Sequence, residues 1–187
     1  ALLARADAEN APDAAQKALR KNFAKGVPAM GADALRFALA ALNTSGRYIR
    51  LSVERVEGYR NFINKLWNAS RFALMNLDGY DAERFEAQQL TPAGKAQLGM
   101  PERWILSRLQ ATCAAVDTAL EAFRFSDAAN AIYHFVWDEL CDWYIELAKA
   151  PLTGQDAVAR SSAQAVLVFC LDSVLRLLHP FMPFVTE

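Results

Sequence analysis

The chain has 187 residues, of which 53% are hydrophobic and 22% are charged, with 20 Lys and Arg against 21 Asp and Glu. This composition is typical of a globular protein with a sizeable core and excludes an intrinsically disordered chain. The three cysteines are far apart in sequence and form no Cys-x-x-Cys pair, so neither a zinc site nor a disulfide framework is expected, and the cytoplasm is the expected compartment. The most apolar run, residues 165–171, is too short to cross a bilayer, so no membrane partner is expected.

The charges are distributed unevenly along the chain. Residues 1–74 carry twelve Lys and Arg against six Asp and Glu, whereas residues 75–187 carry eight against fifteen. Such an asymmetry is one footprint of a surface that binds a polyanion such as RNA. It is equally compatible with helix faces that are merely solvated, and both interpretations stay open on charge alone.

The first hundred residues predict three helices and two loops. A short helix is expected at residues 12–23, followed by a Gly- and Pro-containing loop and a second helix from residue 32 to about 42. The stretch "RYIRL" at 47–51 is compatible with an extended segment. Ser52 is a suitable N-cap for a long amphipathic helix that ends near residue 77, in which Gly58 is expected to mark the close approach of another element. Residues 78–100 are acidic, polar and aperiodic, which indicates a long loop.

Three long helices are predicted in the remainder. Pro101 opens one that ends near Phe123, Ser126 caps one that ends near Lys149, and residues 155–178 form the last, which Pro180 terminates. No strand alternation and no internal repeat is visible. The predicted fold is therefore all-α: an up-and-down bundle of about four long helices with a short helical N-terminal extension.

Polar residues are unusually frequent in the helix after Ser52, although Asn is a poor helix former. Asn64 and Asn68 share a stripe with two arginines, at spacings of three and four residues. In one interpretation the stripe is exposed and contacts RNA, since Asn can pair with base edges and Arg binds phosphate. In the other, part of the stripe is buried and pairs with acids of neighbouring helices.

Each interpretation is expected to apply to a different edge of the same helix. Trp67 and Phe72 flank the second half of the stripe, so an internal network is expected there, although the edge that each asparagine faces stays open. The candidates for RNA contact are Arg55, Arg60, Asn61 and Lys65. The members of the predicted internal network are Asn64, Asn68, Arg71, Asp142 and Glu146.

The stretch "YHFVWDELCDWYIEL", residues 133–147, has apolar and aromatic side chains almost all round, which predicts a central helix. Its acids, including Asp138 and Glu139, are candidate partners for arginines of other helices. Asp142 and Glu146 stand four residues apart and could alternatively bind a metal, but no histidine is in register with them, so no metal site is predicted. No catalytic residue is predicted either, because no nucleophile with a base and no Gly-rich phosphate loop is present. Trp67 and Trp143 are expected in the core.

Several stretches together carry a family resemblance. "EGYRNFINKLWNASRF" at 57–72 contains an Asn-Lys-Leu-Trp-Asn core, "GADALRF" lies at 31–37, and "FRFSDAANAIYHFVWDELCDWYIEL" and "HPFMPFVTE" follow at 123–147 and 179–187. In this order they resemble the region after the KMSKS loop of bacterial valyl-tRNA synthetases, which are class I aminoacyl-tRNA synthetases. The chain departs from that pattern at "GRYI", where Tyr48 replaces a usual Asp, so any role of that Asp is in doubt here.

The resemblance implies a division of labour. Residues 1–50 would be the end of the catalytic half with the stem-contact region, and residues 51–187 most of the anticodon-binding bundle. The parent enzyme would join valine to tRNA(Val) using ATP and magnesium, whereas this chain lacks the HIGH and KMSKS motifs and is expected to need no cofactor and to be inactive alone. The implied partner is tRNA(Val), with no DNA and a monomeric state. The alternatives are a structural or protein-interaction bundle without RNA binding, and a metal-dependent enzyme using Asp142 and Glu146.

Overall fold

The computed structural model describes residues 28–43, 51–80 and 98–187, and four residues of the preceding region, Asp13, Gln16, Lys17 and Arg20. These four residues are helical, in agreement with the helix predicted at 12–23. The chain divides into two compact units, Ala1–Met30 and Gly31–Glu187, and the description below concerns the second. Tyr48 and most of the predicted loop at 78–100 lie outside the described residues.

Seven α-helices and one π-helical segment make up the described part of this unit. They are α1 (Ala32–Ala41), α2 (Val53–Met75), α3 (Met100–Glu121), α4 (Phe125–His134), the π segment (Phe135–Tyr144), α5 (Ile145–Thr153), α6 (Ala157–Leu178) and α7 (Pro183–Thr186). Helix α4, the π segment and α5 follow one another without a break and form a single rod, residues 125–153. With α2, α3 and α6, this rod confirms the predicted all-α bundle of four long helices.

The helix boundaries follow local capping chemistry. The Ser52 hydroxyl accepts a hydrogen bond from the backbone N–H of Arg55, as predicted for the start of α2. The Asp156 carboxylate accepts from Val158 and Ala159 at the start of α6, and Pro101 occupies the first turn of α3. The rod begins at Phe125 rather than being capped by Ser126, which is buried.

The turn between α3 and the rod places an aromatic residue in an unusual backbone conformation. Phe123 has a φ of 56°, in the left-handed region that favours glycine. The N–H groups of Phe123 and Arg124 bond back to Leu120 and Ala119, which closes the end of α3. The Phe123 ring is 79% exposed and meets only the edge of the Phe125 ring among the described aromatic residues.

One continuous apolar core joins all four long elements. The rod and α6 contribute the most buried side chains, and those of the rod include Phe135, Leu140 and Tyr144, which are nearly or fully buried. Helix α1 belongs to the same core, because Phe37 stacks on Phe62 of α2. The compact unit therefore begins with α1; the functional boundary predicted at residue 50 is not tested by this packing and stays a prediction.

Helix α1 is tied to the end of the chain by two charged side chains. The buried Asp33 carboxylate accepts from the N–H groups of Phe184 and Val185, at 3.5 and 2.7 Å, and so caps α7 from another helix. The Arg36 guanidinium donates to the carbonyls of Pro180 and Phe181 at 3.0 and 3.1 Å. These bonds satisfy backbone groups that the prolines of "HPFMPF" leave without helical partners.

Helix α6 is apolar enough to resemble a membrane span. Within the described part of the chain it alone has the length and composition to cross a bilayer, with a mean hydropathy of 1.5 over its most apolar window. More than half of that window, 56%, is buried inside the bundle. Its apolar character is accounted for by its position as the core helix.

Candidate nucleic-acid interface

Helix α2 presents one face to the core and the opposite face to solvent. Its buried residues are Val56, Phe62, Leu66, Ala69 and Ala73, which recur at the three- and four-residue spacing of a single helix face. The exposed face carries what we call the polar edge of α2, which consists of Arg60, Asn61, Asn64, Trp67, Asn68 and Arg71. The asparagines are therefore clustered where the helix meets water, together with two arginines and one tryptophan.

The internal network predicted for this helix is wrong. Asn64, Asn68 and Arg71 are all exposed, and none of them contacts the acids with which they were predicted to pair. Asp142 instead forms an ion pair with Lys65, and Glu146 pairs with Lys149 one turn away. The reason is geometric: the core-facing stripe passes through Phe62 and Ala69, which places the arginine and asparagine stripe on the far side of the helix.

Lys65 lies differently from the exposed position predicted for it. It is partly buried at the contact between α2 and the π segment, where its ammonium pairs with Asp142 and stands 4.0 Å from the centre of the Trp137 ring. An ammonium over an indole face is a favourable cation–π arrangement. Lys65 therefore has protein partners in this structure, whereas the exposed Arg55, Arg60 and Asn61 retain the surface position predicted for them.

The prediction that Trp67 and Trp143 are core residues is wrong, because both lie at the surface. Trp67 is 57% exposed and Trp143 is 64% exposed. For Trp143 the cause is the π segment, in which i→i+5 hydrogen bonds change the register, so that Leu140 and Tyr144 point inward instead. For Trp67 the cause is the rotation of α2, since Leu66 occupies the inward position.

Of the four acids of the rod that were candidate partners for arginines of other helices, only Glu139 pairs with one. Glu139 accepts two parallel bonds from the Arg108 guanidinium of α3, at 2.7 to 3.0 Å, the bidentate geometry that arginine favours with carboxylates. This pairing also raises the pKa of Arg108. Asp138 pairs with His134 of the preceding turn rather than with an arginine. Thus the carboxylates of the rod are engaged within the bundle, which leaves the polar edge of α2 as a surface rich in cations and amides.

A shallow cleft opens between the N-terminal half of α2 and the rod. Its lining residues are Arg55, Gly58, Tyr59, Asn130, Tyr133 and His134. Tyr59 and Tyr133 meet edge to face, with ring centres 6.1 Å apart, and Tyr133 also stacks on Trp137 at 5.7 Å. Burial raises the pKa of both phenols, with the Arg55 charge partly offsetting the effect on Tyr59. Both hydroxyls are therefore protonated at neutral pH and can donate hydrogen bonds.

The acidic and histidine side chains of the described residues are dispersed over the bundle. Nowhere in the described ranges do three or more His, Cys, Asp or Glu side chains come together as a metal would require. The acids singled out as a metal alternative, Asp142 and Glu146, are each bonded to a different lysine.

Sequence reasoning placed Trp67 in the core, and it did not identify three residues of the cleft as functional candidates: Asn130, Tyr133 and His134. For Trp67 the periodicity of the sequence was not decisive, because both edges of α2 carry aromatic residues, and only the structure shows that the buried stripe passes through Phe62 and Leu66. For the cleft no sequence signal was available, since its two walls are about seventy residues apart and meet only in the folded bundle.

Comparison with known proteins identifies the family. Residues 102–187 match the family model described as the anticodon-binding domain of tRNA ligase. The curated valine–tRNA ligases of Syntrophotalea carbinolica and Geobacter sulfurreducens are 53% and 52% identical, each over 84% of this chain and 17% of its own length. That of Chromobacterium violaceum is 46% identical over 96% of this chain and 18% of its own length.

The chain thus spans less than a fifth of the length of the curated relatives that it matches. The identity extends over nearly all of the sequence and includes α1 and α2, which precede the region matched by the domain model. The chain belongs to the valine–tRNA ligase family, and its residues 102–187 correspond to the anticodon-binding domain of tRNA ligases.

Proposed function

We propose that this chain is the part of a valine–tRNA ligase that binds the anticodon arm of tRNA(Val). The observation that carries the proposal is the match of residues 102–187 to the anticodon-binding domain, together with relatives named valine–tRNA ligase along the rest of the chain. The whole enzyme would attach valine to its tRNA using ATP with magnesium, in the cytoplasm. The present chain would be inactive alone and would act as a monomer.

The polar edge of α2 supplies the chemistry that RNA recognition needs. Arg60 and Arg71 are exposed at about three turns' separation and can each bind a phosphate, while the three asparagines between them offer both donors and acceptors to base edges. The exposed Trp67 adds an aromatic face of the kind on which unpaired bases stack. Cation, amide and aromatic side chains on one rigid helix are a suitable surface for a single-stranded RNA loop.

The first experiment measures binding of tRNA(Val) to this chain as a function of salt. Removing one arginine that binds a phosphate should reduce the slope of log K against log salt by roughly 0.7–0.9. Arg60→Ala should therefore weaken binding and flatten the slope by about that amount. Arg176→Ala is the control, because Arg176 is also an exposed arginine but lies on α6, where its partner is Asp172 of the same helix. Equal effects of both variants would indicate a diffuse charge effect and contradict binding through α2.

The second experiment tests recognition of the anticodon. The chain should bind tRNA(Val) more tightly than a tRNA(Val) transcript whose anticodon has been exchanged, at the same salt concentration. Base contacts discriminate by roughly 1–3 kcal/mol each when they are well formed, so a tenfold or larger difference is expected. Equal affinity for both transcripts would show that the chain contacts only the RNA backbone.

The alternative is a bundle that supports the rest of the enzyme without touching RNA. The bidentate Arg108–Glu139 pair and the α1–α7 connection favour a rigid scaffold, which is compatible with either function. The alternative predicts no measurable tRNA binding at low salt. It also predicts that Arg60→Ala and Arg176→Ala behave alike.

A further inference from the structure

In the described part of the fold, no contact and no backbone conformation requires glycine at position 58. It lies in the interior of α2, where glycine lowers helix stability relative to alanine. Its backbone does not adopt a positive φ, and a β-carbon placed on it would meet no atom of the described residues within 4 Å. Among the described residues, no other element makes the close approach that was expected at Gly58, and the glycine faces open space.

The open space beside Gly58 is the cleft between α2 and the rod. Arg55 precedes the glycine by one turn on the same wall, and Asn130, Tyr133 and His134 form the opposite wall. The wall formed by the rod is held in place by Tyr133, which packs on Phe62 at 4.9 Å and stacks on Trp137. The cleft thus combines a cation, an amide, an imidazole and two phenols around a stretch of bare helix backbone.

We propose that this cleft binds one nucleotide unit of an RNA strand, and that residue 58 is glycine so that the sugar and phosphate can lie against the backbone of α2. The inference rests on the proposed function and assigns a second RNA contact to the same helix. Gly58 and Trp67 are nine residues apart, so the cleft lies roughly 13 Å along the helix from the tryptophan. It is therefore separate from the stacking surface at the polar edge.

The lining groups other than His134, whose Nδ1 faces the Asp138 carboxylate at 2.9 Å, can each contact a ribonucleotide. The Arg55 guanidinium is suited to a phosphate oxygen, to which it can donate two parallel hydrogen bonds. The phenols of Tyr59 and Tyr133 remain protonated and can donate to, or accept from, a ribose 2′-hydroxyl. The Asn130 amide offers a donor and an acceptor on the facing wall. A side chain at residue 58 would occupy the position where the sugar approaches.

The test fills the cleft without disturbing the bundle. Gly58→Gln places a side chain into the cleft, and Ala115→Gln, at an exposed position of α3, is the matched control. Because a helical glycine is replaced, Gly58→Gln should melt no lower than the unmodified chain. Its affinity for tRNA(Val) should fall about tenfold, whereas Ala115→Gln should bind normally. Tyr133→Phe, which keeps the ring and removes only the hydroxyl, should weaken binding of tRNA(Val) several-fold. It provides an independent test of the cleft if Gly58→Gln folds poorly.

The outcomes separate this inference from the proposed function. If Gly58→Gln and Tyr133→Phe bind tRNA(Val) as the unmodified chain does, while Arg60→Ala binds it weakly, the cleft assignment is overturned and the proposed function stands. If the unmodified chain does not bind tRNA(Val) at low salt, both are overturned. Free AMP and inorganic phosphate distinguish the source of the ligand: either one binding to the cleft as tightly as RNA would overturn the assignment to an RNA strand.

Discussion

Phe62 and Trp67 offer a direct test of how α2 is oriented in the bundle. They are both large aromatic residues of the same helix, but Phe62 has no exposed surface and Trp67 is 57% exposed. Phe62 also stacks on Phe37 at 5.5 Å and packs on Tyr133 at 4.9 Å. Phe62→Ala and Trp67→Ala therefore each remove a large aromatic side chain from α2, and the two side chains differ in burial.

The expected loss of stability is large for Phe62→Ala. Truncation of a buried Phe costs about 3–5 kcal/mol, and the two ring contacts place this site in the upper part of that range, at about 4–5 kcal/mol. A domain of this size loses about 2–4 °C in Tm per kcal/mol, so the melting temperature should fall by roughly 8–20 °C. Trp67→Ala should cost less than about 1 kcal/mol, because most of its ring already contacts water.

Thermal melts followed by circular dichroism, with urea titrations as a second measure, would decide between these values. Trp67→Ala should nevertheless weaken binding of tRNA(Val), by about 1–3 kcal/mol if one base stacks on its ring. A Trp67→Ala melt as low as that of Phe62→Ala would refute the orientation of α2 described above. So would a Phe62→Ala variant that melts like the unmodified chain.

Four further predictions follow from particular contacts. Arg71→Ala should change the free energy of unfolding by less than about 0.5 kcal/mol, because Arg71 is exposed. A decrease of several kcal/mol in a urea titration would instead support the predicted internal network. Asp33→Asn should destabilise the fold by about 1–3 kcal/mol, since the buried carboxylate caps α7, and an unchanged melt would contradict that capping. Phe123→Gly should raise stability by about 1 kcal/mol by relieving the positive φ, whereas a lower Tm would mean that the exposed ring contributes more than the strain costs. Burial raises the pKa of Cys141 to about 11 and of Cys170 to about 12, from about 9 in the unfolded chain, so the unfolded thiols ionise first. Stability should therefore be nearly constant below pH 9 and fall above it, by about 1.4 kcal/mol per pH unit for each thiol, until the folded thiol itself ionises. Replacing both cysteines by Ala should reduce that slope in urea titrations, and the remainder is expected from other groups whose pKa burial raises, such as Cys113 and Tyr144.

The positions of the long helices could be predicted from the sequence, because the relevant signals are local. Ser52 was predicted to be an N-cap and is one in the structure. The apolar residues of α2, α3 and α6 recur at the spacing of the helical repeat, which can be recognised in the sequence. The family resemblance was equally legible, since it depends on the order of residues in "NKLWN" and the stretches after it, and the comparisons confirm it.

The direction in which individual polar residues point was decided only by tertiary packing. A stripe containing Trp67 and one containing Phe62 differ by a rotation of α2 that periodicity alone does not determine when both edges carry aromatic residues. In the rod, the change from α- to π-helical hydrogen bonding turns Trp143 outward, and no propensity argument predicts that change. Lys65 pairs with Asp142, which lies seventy-seven residues further along the chain. The cleft beside Gly58 is formed only where α2 meets the rod. Such contacts arise from side chains distant in sequence, so they depend on how the helices pack and not on the order of residues within any one of them.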